Sequence, residues 1–200
     1  MSPLELSSDA GIAAVFLLTA NLLMGMLLGI RYNPWRRWPH RRINYARLHD
    51  WTGYVALAAT GLHLVLLLFA NQPGFGVAEI LYPLISPKQP WINTAGGAAF
   101  YILVLVVVTS YFRRRMKRSD WKLIHLSVYI MAVLFMVHGV LSDQTLKDTP
   151  LDLLDGEKVA IWGCGVALVL ATAGRVRHEL KHRAARATLA ARRERERKVA

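Results

Sequence analysis

The 200-residue chain has one cysteine, Cys164, and therefore no possible intrachain disulfide. In its apolar surroundings that thiol reads as inert packing. Acidic groups are scarce as well, with 13 Asp and Glu against 25 Lys and Arg and a net charge of +12. The apolar runs carry no carboxylate between their ends, and no broken-helix repeat is visible. A proton-coupled transporter would need such groups at mid-membrane. Nothing after residue 175 offers a Gly-rich phosphate loop or enough chain to build around one. The sequence is therefore not expected to take hydride from a nicotinamide unaided. Residues 1–9 contain no Lys or Arg, which argues against a cleaved signal peptide.

What the chain does have is apolar length: 54% of its residues are hydrophobic and the mean hydropathy is +0.29. This content is gathered in five runs, 10–30, 50–70, 92–112, 123–141 and 157–174, each read as a spanning helix. The fifth is the shortest, and Lys158 would snorkel at its end. In lipid the backbone must satisfy its own hydrogen bonds, so helices are the expected solution. The fold class is thus an all-α membrane protein, a five-helix transmembrane bundle over 1–174 with a basic helical tail over 175–200.

Charge supplies the orientation. Of the 25 basic residues, 22 fall in 31–50, 113–122 and 175–200, and the intervening loops are nearly free of them. Strict alternation of this kind follows the positive-inside rule. It predicts an N-terminus outside and a cytoplasmic C-terminus. The high charge thereby has its cause, and no nucleic-acid partner is implied.

Histidines mark the candidate site. His49 and His63 close the segment HDWTGYVALAATGLH on the second helix. His125 and His138 close HLSVYIMAVLFMVH on the fourth. At about 1.5 Å per residue the members of each pair stand roughly 20 Å apart along the axis. Both helices run from inside to outside, so His49 pairs with His125 and His63 with His138, at two depths. Two such pairs suit two stacked haems, with the imidazoles as axial ligands. Apart from Asp50, next to His49, no carboxylate or thiolate accompanies either pair, as one would in a metal centre without a macrocycle. Fourteen steps of about 100° bring His49 and His63 nearly to one face, whereas thirteen leave His125 and His138 about 220° apart. A curved or locally rewound fourth helix is expected. Gly53 and Gly61 read as room for a flat ring, and Gly25 and Gly29 as a helix-packing face. His40 reads as solvated. His178 and His182, at i and i+4, read as a solvated helix face rather than a metal site.

These residues resemble the ferric-reductase-like transmembrane domain, the membrane core of NADPH oxidases and eukaryotic ferric reductases. The likeness covers residues 30–142. The segment RRRMKRSDWKLIHLSVYIMAVLFMVH looks most like the bacterial haem-binding membrane subunit that serves periplasmic methionine sulfoxide reductase. The oxidases have six helices with ligands on the third and fifth; here there are five, with ligands on the second and fourth. The resemblance implies that His49, His63, His125 and His138 bind two b-type haems. No CxxCH motif occurs, so the haems would not be covalently attached. It also implies a haem-bearing electron-transfer subunit of a membrane oxidoreductase. Its donor would be a cytoplasmic flavoprotein or membrane quinol, with any flavin or quinone supplied by that partner. Its acceptor would be an outer-side protein, a metal or oxygen. Arg47 and Lys122, with Arg41, Arg42 and Arg115, are candidates to meet the propionates of the inner haem. Phe100, Tyr101, Tyr129 and Met131 are candidates to fill the space between haems. The alternatives are a quinol-oxidising cytochrome b subunit of a larger complex, and a non-haem transporter or assembly subunit.

Overall fold

The computed structural model describes residues 1–33, 43–70, 74–142 and 155–199. Among these, five helical segments are long and apolar enough to cross a membrane. The first, α1 (Pro3–Gly29), begins seven residues before the apolar run. Its start is set by local chemistry: Ser2 and Glu5 form a reciprocal capping box, with Pro3 at the first helical position. Likewise α2 (Tyr45–Leu67) starts early, where the Asn44 side chain accepts the Arg47 backbone N–H. The connection after α2 forms a short helix, α3 (Val77–Leu81), and a 3₁₀ turn (Pro83–Ile85), followed by α4 (Pro90–Tyr111).

The fourth expected span is not one helix. It divides at Ser127 into α5 (Arg118–Leu126) and α6 (Val128–Leu141). The Ser127 N–H donates to the Ile124 carbonyl three residues back at 3.0 Å, and its hydroxyl donates to the same oxygen at 2.6 Å. A 3₁₀ turn winds at about 3.0 residues per turn instead of 3.6, which advances His138 in the direction its thirteen-residue spacing requires. Finally, α7 (Gly156–Val199) runs as one continuous helix through both the fifth span and the basic tail.

The helices close into a ring. α1 packs along α2 and α7, α6 along α7 and α4, and α4 also meets α2. The core comprises Val15, Leu18, Leu22 and Met26 of α1, Ala56 of α2, Ala99 and Leu103 of α4, Met131, Phe135 and Val140 of α6, and Ile161, Cys164 and Leu168 of α7. Cys164 is a free, buried packing residue there, as its apolar setting predicts. Outward-facing positions remain apolar: Ile130, Val133, Val169 and Leu170 are each more than 60% exposed. A helix that is apolar on all sides is suited to lipid rather than water.

The connection between α2 and α4 does more than cross a surface. Pro83 sits against Gly97, where an added Cβ would come within 2.6 Å of the proline ring. The Tyr101 hydroxyl donates to the Leu81 carbonyl. Asn93 Nδ2 donates to the Ser86 hydroxyl and the Lys88 carbonyl, both at 2.8 Å. α3 and the 3₁₀ turn are thereby fixed over one end of the bundle.

Candidate functional site

Three 14-residue intervals bring the four membrane histidines together. α1 offers Gly11 and Gly25, α2 offers His49 and His63, and α4 offers Gly96 and Ser110. Because α2 and α6 run in parallel, the imidazoles meet in two pairs. His49 faces His125 with ring centres 6.3 Å apart, and His63 faces His138 at the same 6.3 Å. The ring planes cross at 78° and 68°.

Each ring is held from behind by a neighbouring helix. His49 Nδ1 donates to the Asn21 carbonyl at 3.1 Å, His63 Nδ1 to the Ser7 carbonyl at 2.7 Å, and His138 Nδ1 to the Ile92 carbonyl at 3.0 Å. A carbonyl can only accept, so Nδ1 carries the proton in all three and Nε2 keeps its lone pair. In each case a glycine stands four residues after the accepting carbonyl. A Cβ on Gly11 would lie 3.1 Å from His63 Nδ1, one on Gly25 would lie 3.1 Å from His49 Cε1, and one on Gly96 would lie 2.9 Å from the His138 ring. The glycines let a ring approach a helix backbone that any side chain would screen. The fourth ligand position differs: His125 Nδ1 lies 3.4 Å from the Ser110 hydroxyl and its ring stacks on Trp121.

With Nδ1 edges turned to α1 and α4, the Nε2 edges face the shared space. Among the described residues none of the four Nε2 atoms has a protein hydrogen-bond partner, and no three His, Cys, Asp or Glu side chains cluster. One metal ion bound at about 2.0–2.1 Å by each of two nitrogens, with each ring centre about 1 Å behind its nitrogen, needs ring centres about 6 Å apart. Both pairs meet that spacing. Imidazoles whose Nδ1 is anchored on a carbonyl, as in three of the four, are typical of metal-ligating histidines. A cavity of about 1350 Å³, open mouth included, contains His63 and His138. Phe75, Glu79, Ile80 and Pro83 of the segment between α2 and α4 help to wall it, together with Phe100, Met131 and Phe135.

Charge gathers around the other pair. Arg113 bridges to Asp50 at 3.2 Å, beside His49. Arg175 lies over Gly29, where an added Cβ would come within 2.8 Å of the guanidinium, and donates to the Tyr129 hydroxyl at 3.1 Å. Both cations are within electrostatic reach of His125. Arg47 and Lys122 are exposed on the same end. Arg115 stacks over Phe112. His40, Arg41 and Arg42 lie outside the described residues.

Other expectations resolve differently from their sequence reading. Gly53 packs toward Asn21, 3.5 Å from a built Cβ, and Gly61 has no protein atom within 4 Å. Gly25 receives an imidazole and Gly29 receives Arg175, so neither serves simple helix packing. Of the aromatic and thioether candidates, Phe100 and Met131 line the cavity, whereas Tyr101 binds Leu81 and Tyr129 binds Arg175. His178 and His182 meet only each other, Nε2 to Nε2 at 3.1 Å. Ser7, Asn21, Ser110, Trp121, Arg113 and Arg175 had no part in the sequence-derived site. Asn21, in the apolar part of α1, was the available signal.

The family model for a ferric reductase like transmembrane component matches residues 10–136. The chain belongs to this family. No curated protein and no solved structure matches it. The match takes in three of the imidazoles and both glycine-bearing helices, and ends two residues before His138. Ferric-reductase-like domains are membrane electron-transfer modules that generally bind haem and work with redox partners. This chain is accordingly an integral membrane protein with an electron-transfer role.

Proposed function

We propose that this ferric-reductase-like protein is a b-type di-haem electron carrier. His49 and His125 hold one haem, and His63 and His138 hold the other. The observation that carries the reading is the repeated geometry: two imidazole pairs at 6.3 Å, with three of four Nδ1 atoms donating to helix carbonyls. Held between two imidazoles, a haem would supply one-electron transfer and not a binding position for substrate. The chain's own work is positional. Carbonyls of α1 and α4 fix the tautomer that leaves Nε2 free in His49, His63 and His138, and glycines set the depth of those three rings. Apolar side chains of α1, α4 and α6 exclude water from the cavity.

The basic end, with Arg113 and Arg175, is read as the cytoplasmic side and the end capped by α3 as the outer side. Arg113 and Arg175 then join Arg47 and Lys122 as cations for the inner propionates. Electrons would enter from a cytoplasmic flavoprotein or quinol and leave to an outer-side protein, metal or oxygen. The likeness of 113–138 to the haem-binding subunit of the periplasmic methionine sulfoxide reductase system favours a bacterial inner-membrane setting and a protein acceptor.

The experiment is an absorption spectrum of the purified protein, oxidised and reduced, with haem assay. About two low-spin b-type haems per chain are expected. His49→Ala and His125→Ala should remove one spectral component, and His63→Ala and His138→Ala the other. A colourless preparation from haem-replete cells would overturn the proposal, and a His49–His138 partnership would overturn the pairing.

A further inference from the structure

Ser110 stands where the pattern of cradle glycines predicts a glycine. On α1 and α4 the acceptor carbonyls of Ser7, Asn21 and Ile92 are each followed four residues later by glycine. The fourth position in this pattern is Val106 followed by Ser110, fourteen residues beyond Gly96. Ser110 stands between the His125 imidazole and the Val106 carbonyl; the Thr109 hydroxyl donates to the Leu105 carbonyl at 2.7 Å and lies 3.2 Å from that of Val106. His125 Nδ1 is left with the Ser110 hydroxyl at 3.4 Å. That oxygen also accepts the Trp121 indole N–H at 3.4 Å, while the indole stacks on His125 with ring centres 4.9 Å apart. Both contacts are at the long limit of hydrogen bonding, against 2.7–3.1 Å for the carbonyl bonds of the other three imidazoles.

An imidazole whose N–H donates strongly lends electron density to its metal-bound nitrogen and favours the oxidised iron. A weakly bonded one does so less. Resting on the di-haem reading above, we infer that Ser110 and Trp121 are positioning residues that weaken His125 as a ligand and hold the haem of the His49–His125 pair at a higher reduction potential than its partner. Arg113 and Arg175 act in the same direction, because a nearby positive charge favours the iron state that has gained an electron. Asp50 opposes them but is paired with Arg113 at 3.2 Å. The pair at the basic end is thereby the electron-collecting station of the two.

The test is an optical redox titration of the full-length, haem-loaded protein, taking as the basic-end component the one lost in His125→Ala. In the unaltered protein this component should have the higher midpoint. Ser110→Ala removes the acceptor but keeps the Cβ, and should raise that midpoint. Ser110→Gly opens the Val106 carbonyl to His125 and should lower it. Ser110→Thr keeps the hydroxyl and should leave it in place, and the other component should stay fixed throughout. Opposite displacements by Ala and Gly are not what a packing defect produces. If Ser110 variants fail to fold, Trp121→Phe releases the hydroxyl to His125 alone and should lower the same midpoint. Midpoints in the reverse order, Ala and Gly shifts of one sign, or no shift with both components intact would overturn the inference alone. A protein without haem would overturn the di-haem reading and this inference with it.

Discussion

Gly96→Ala puts the cradle geometry under direct strain. The new methyl would stand 2.9 Å from His138 Cγ and Nδ1, whereas ordinary contact begins at 3.4 Å. The ring must therefore retreat, yet its Nδ1 is tied to the Ile92 carbonyl at 3.0 Å on the same helix as the methyl. Retreat lengthens that bond beyond useful range. Overpacking costs about 1–3 kcal/mol, and leaving a buried N–H without its partner costs about 1–3 kcal/mol. Helix propensity returns about 1 kcal/mol for replacing glycine. The net penalty is on the order of 1–5 kcal/mol, concentrated on one ligand, and tenfold in affinity corresponds to about 1.4 kcal/mol.

The assay is haem content per chain and the rate at which each spectral component is lost to an excess of a soluble haem acceptor. Gly163→Ala is the control, since no protein atom lies within 4 Å of its built Cβ. Gly96→Ala should release the haem of the His63–His138 pair at least about fivefold more readily and leave the other in place. Gly163→Ala should retain both haems and melt no earlier than the unaltered protein. Equal retention in the two variants would refute the claim that Gly96 sets the depth of the His138 ring.

Asn21→Leu removes side-chain hydrogen bonds to the His49 carbonyl at 2.6 Å and Thr52 at 2.8 Å but keeps the backbone carbonyl that anchors the imidazole. It should lower thermal stability by about 1 kcal/mol with haem stoichiometry unchanged; loss of haem would show that the side chain, and not the carbonyl, secures the ligand. Ring planes crossed at 78° and 68° should give both oxidised haems strongly anisotropic low-spin electron paramagnetic resonance signals, and rhombic spectra of parallel-ring type would contradict the observed orientation. Deleting residues 183–200 should slow haem reduction by cytoplasmic extract with NADH or NADPH and weaken its dependence on salt, if a soluble acidic flavoprotein docks on the basic end. Reduction that is unchanged and insensitive to ionic strength would favour quinol entering from lipid.

The spans were legible because twenty apolar residues in a row have few alternatives, and the imidazoles because a polar ring in such a run is costly. Helix ends were less so. Hydropathy hides a polar first turn, and the SPLE capping sequence that begins α1 at Pro3 has to be read as local chemistry. The cradles were hidden for a different reason. Gly11 and Gly25 repeat the 14-residue interval of His49 and His63, but a glycine does not announce what it accommodates. Gly25 and Gly29 therefore read as one packing face, when one receives His49 and the other Arg175. Arg175 itself was hidden among the basic residues of the tail. Only the fold brings it back over α1 to Tyr129, within reach of His125.

The same interval explains why the fourth span is broken. Fourteen residues at 3.6 per turn fall about 40° short of four turns, so α1, α2 and α4 can remain regular and present Gly11 and Gly25, His49 and His63, Gly96 and Ser110 to common faces. The helix with one residue fewer cannot. To complete four turns in thirteen residues it must average about 3.25 per turn, between the α-helical and 3₁₀ values. The winding tightens at Ser127, two residues after His125, where the N–H and the hydroxyl both donate to the Ile124 carbonyl. One 3₁₀ turn gains about 60° of the roughly 140° that thirteen residues lack, so the break at Ser127 is one part of the rewinding that lets His63 and His138 face each other across 6.3 Å.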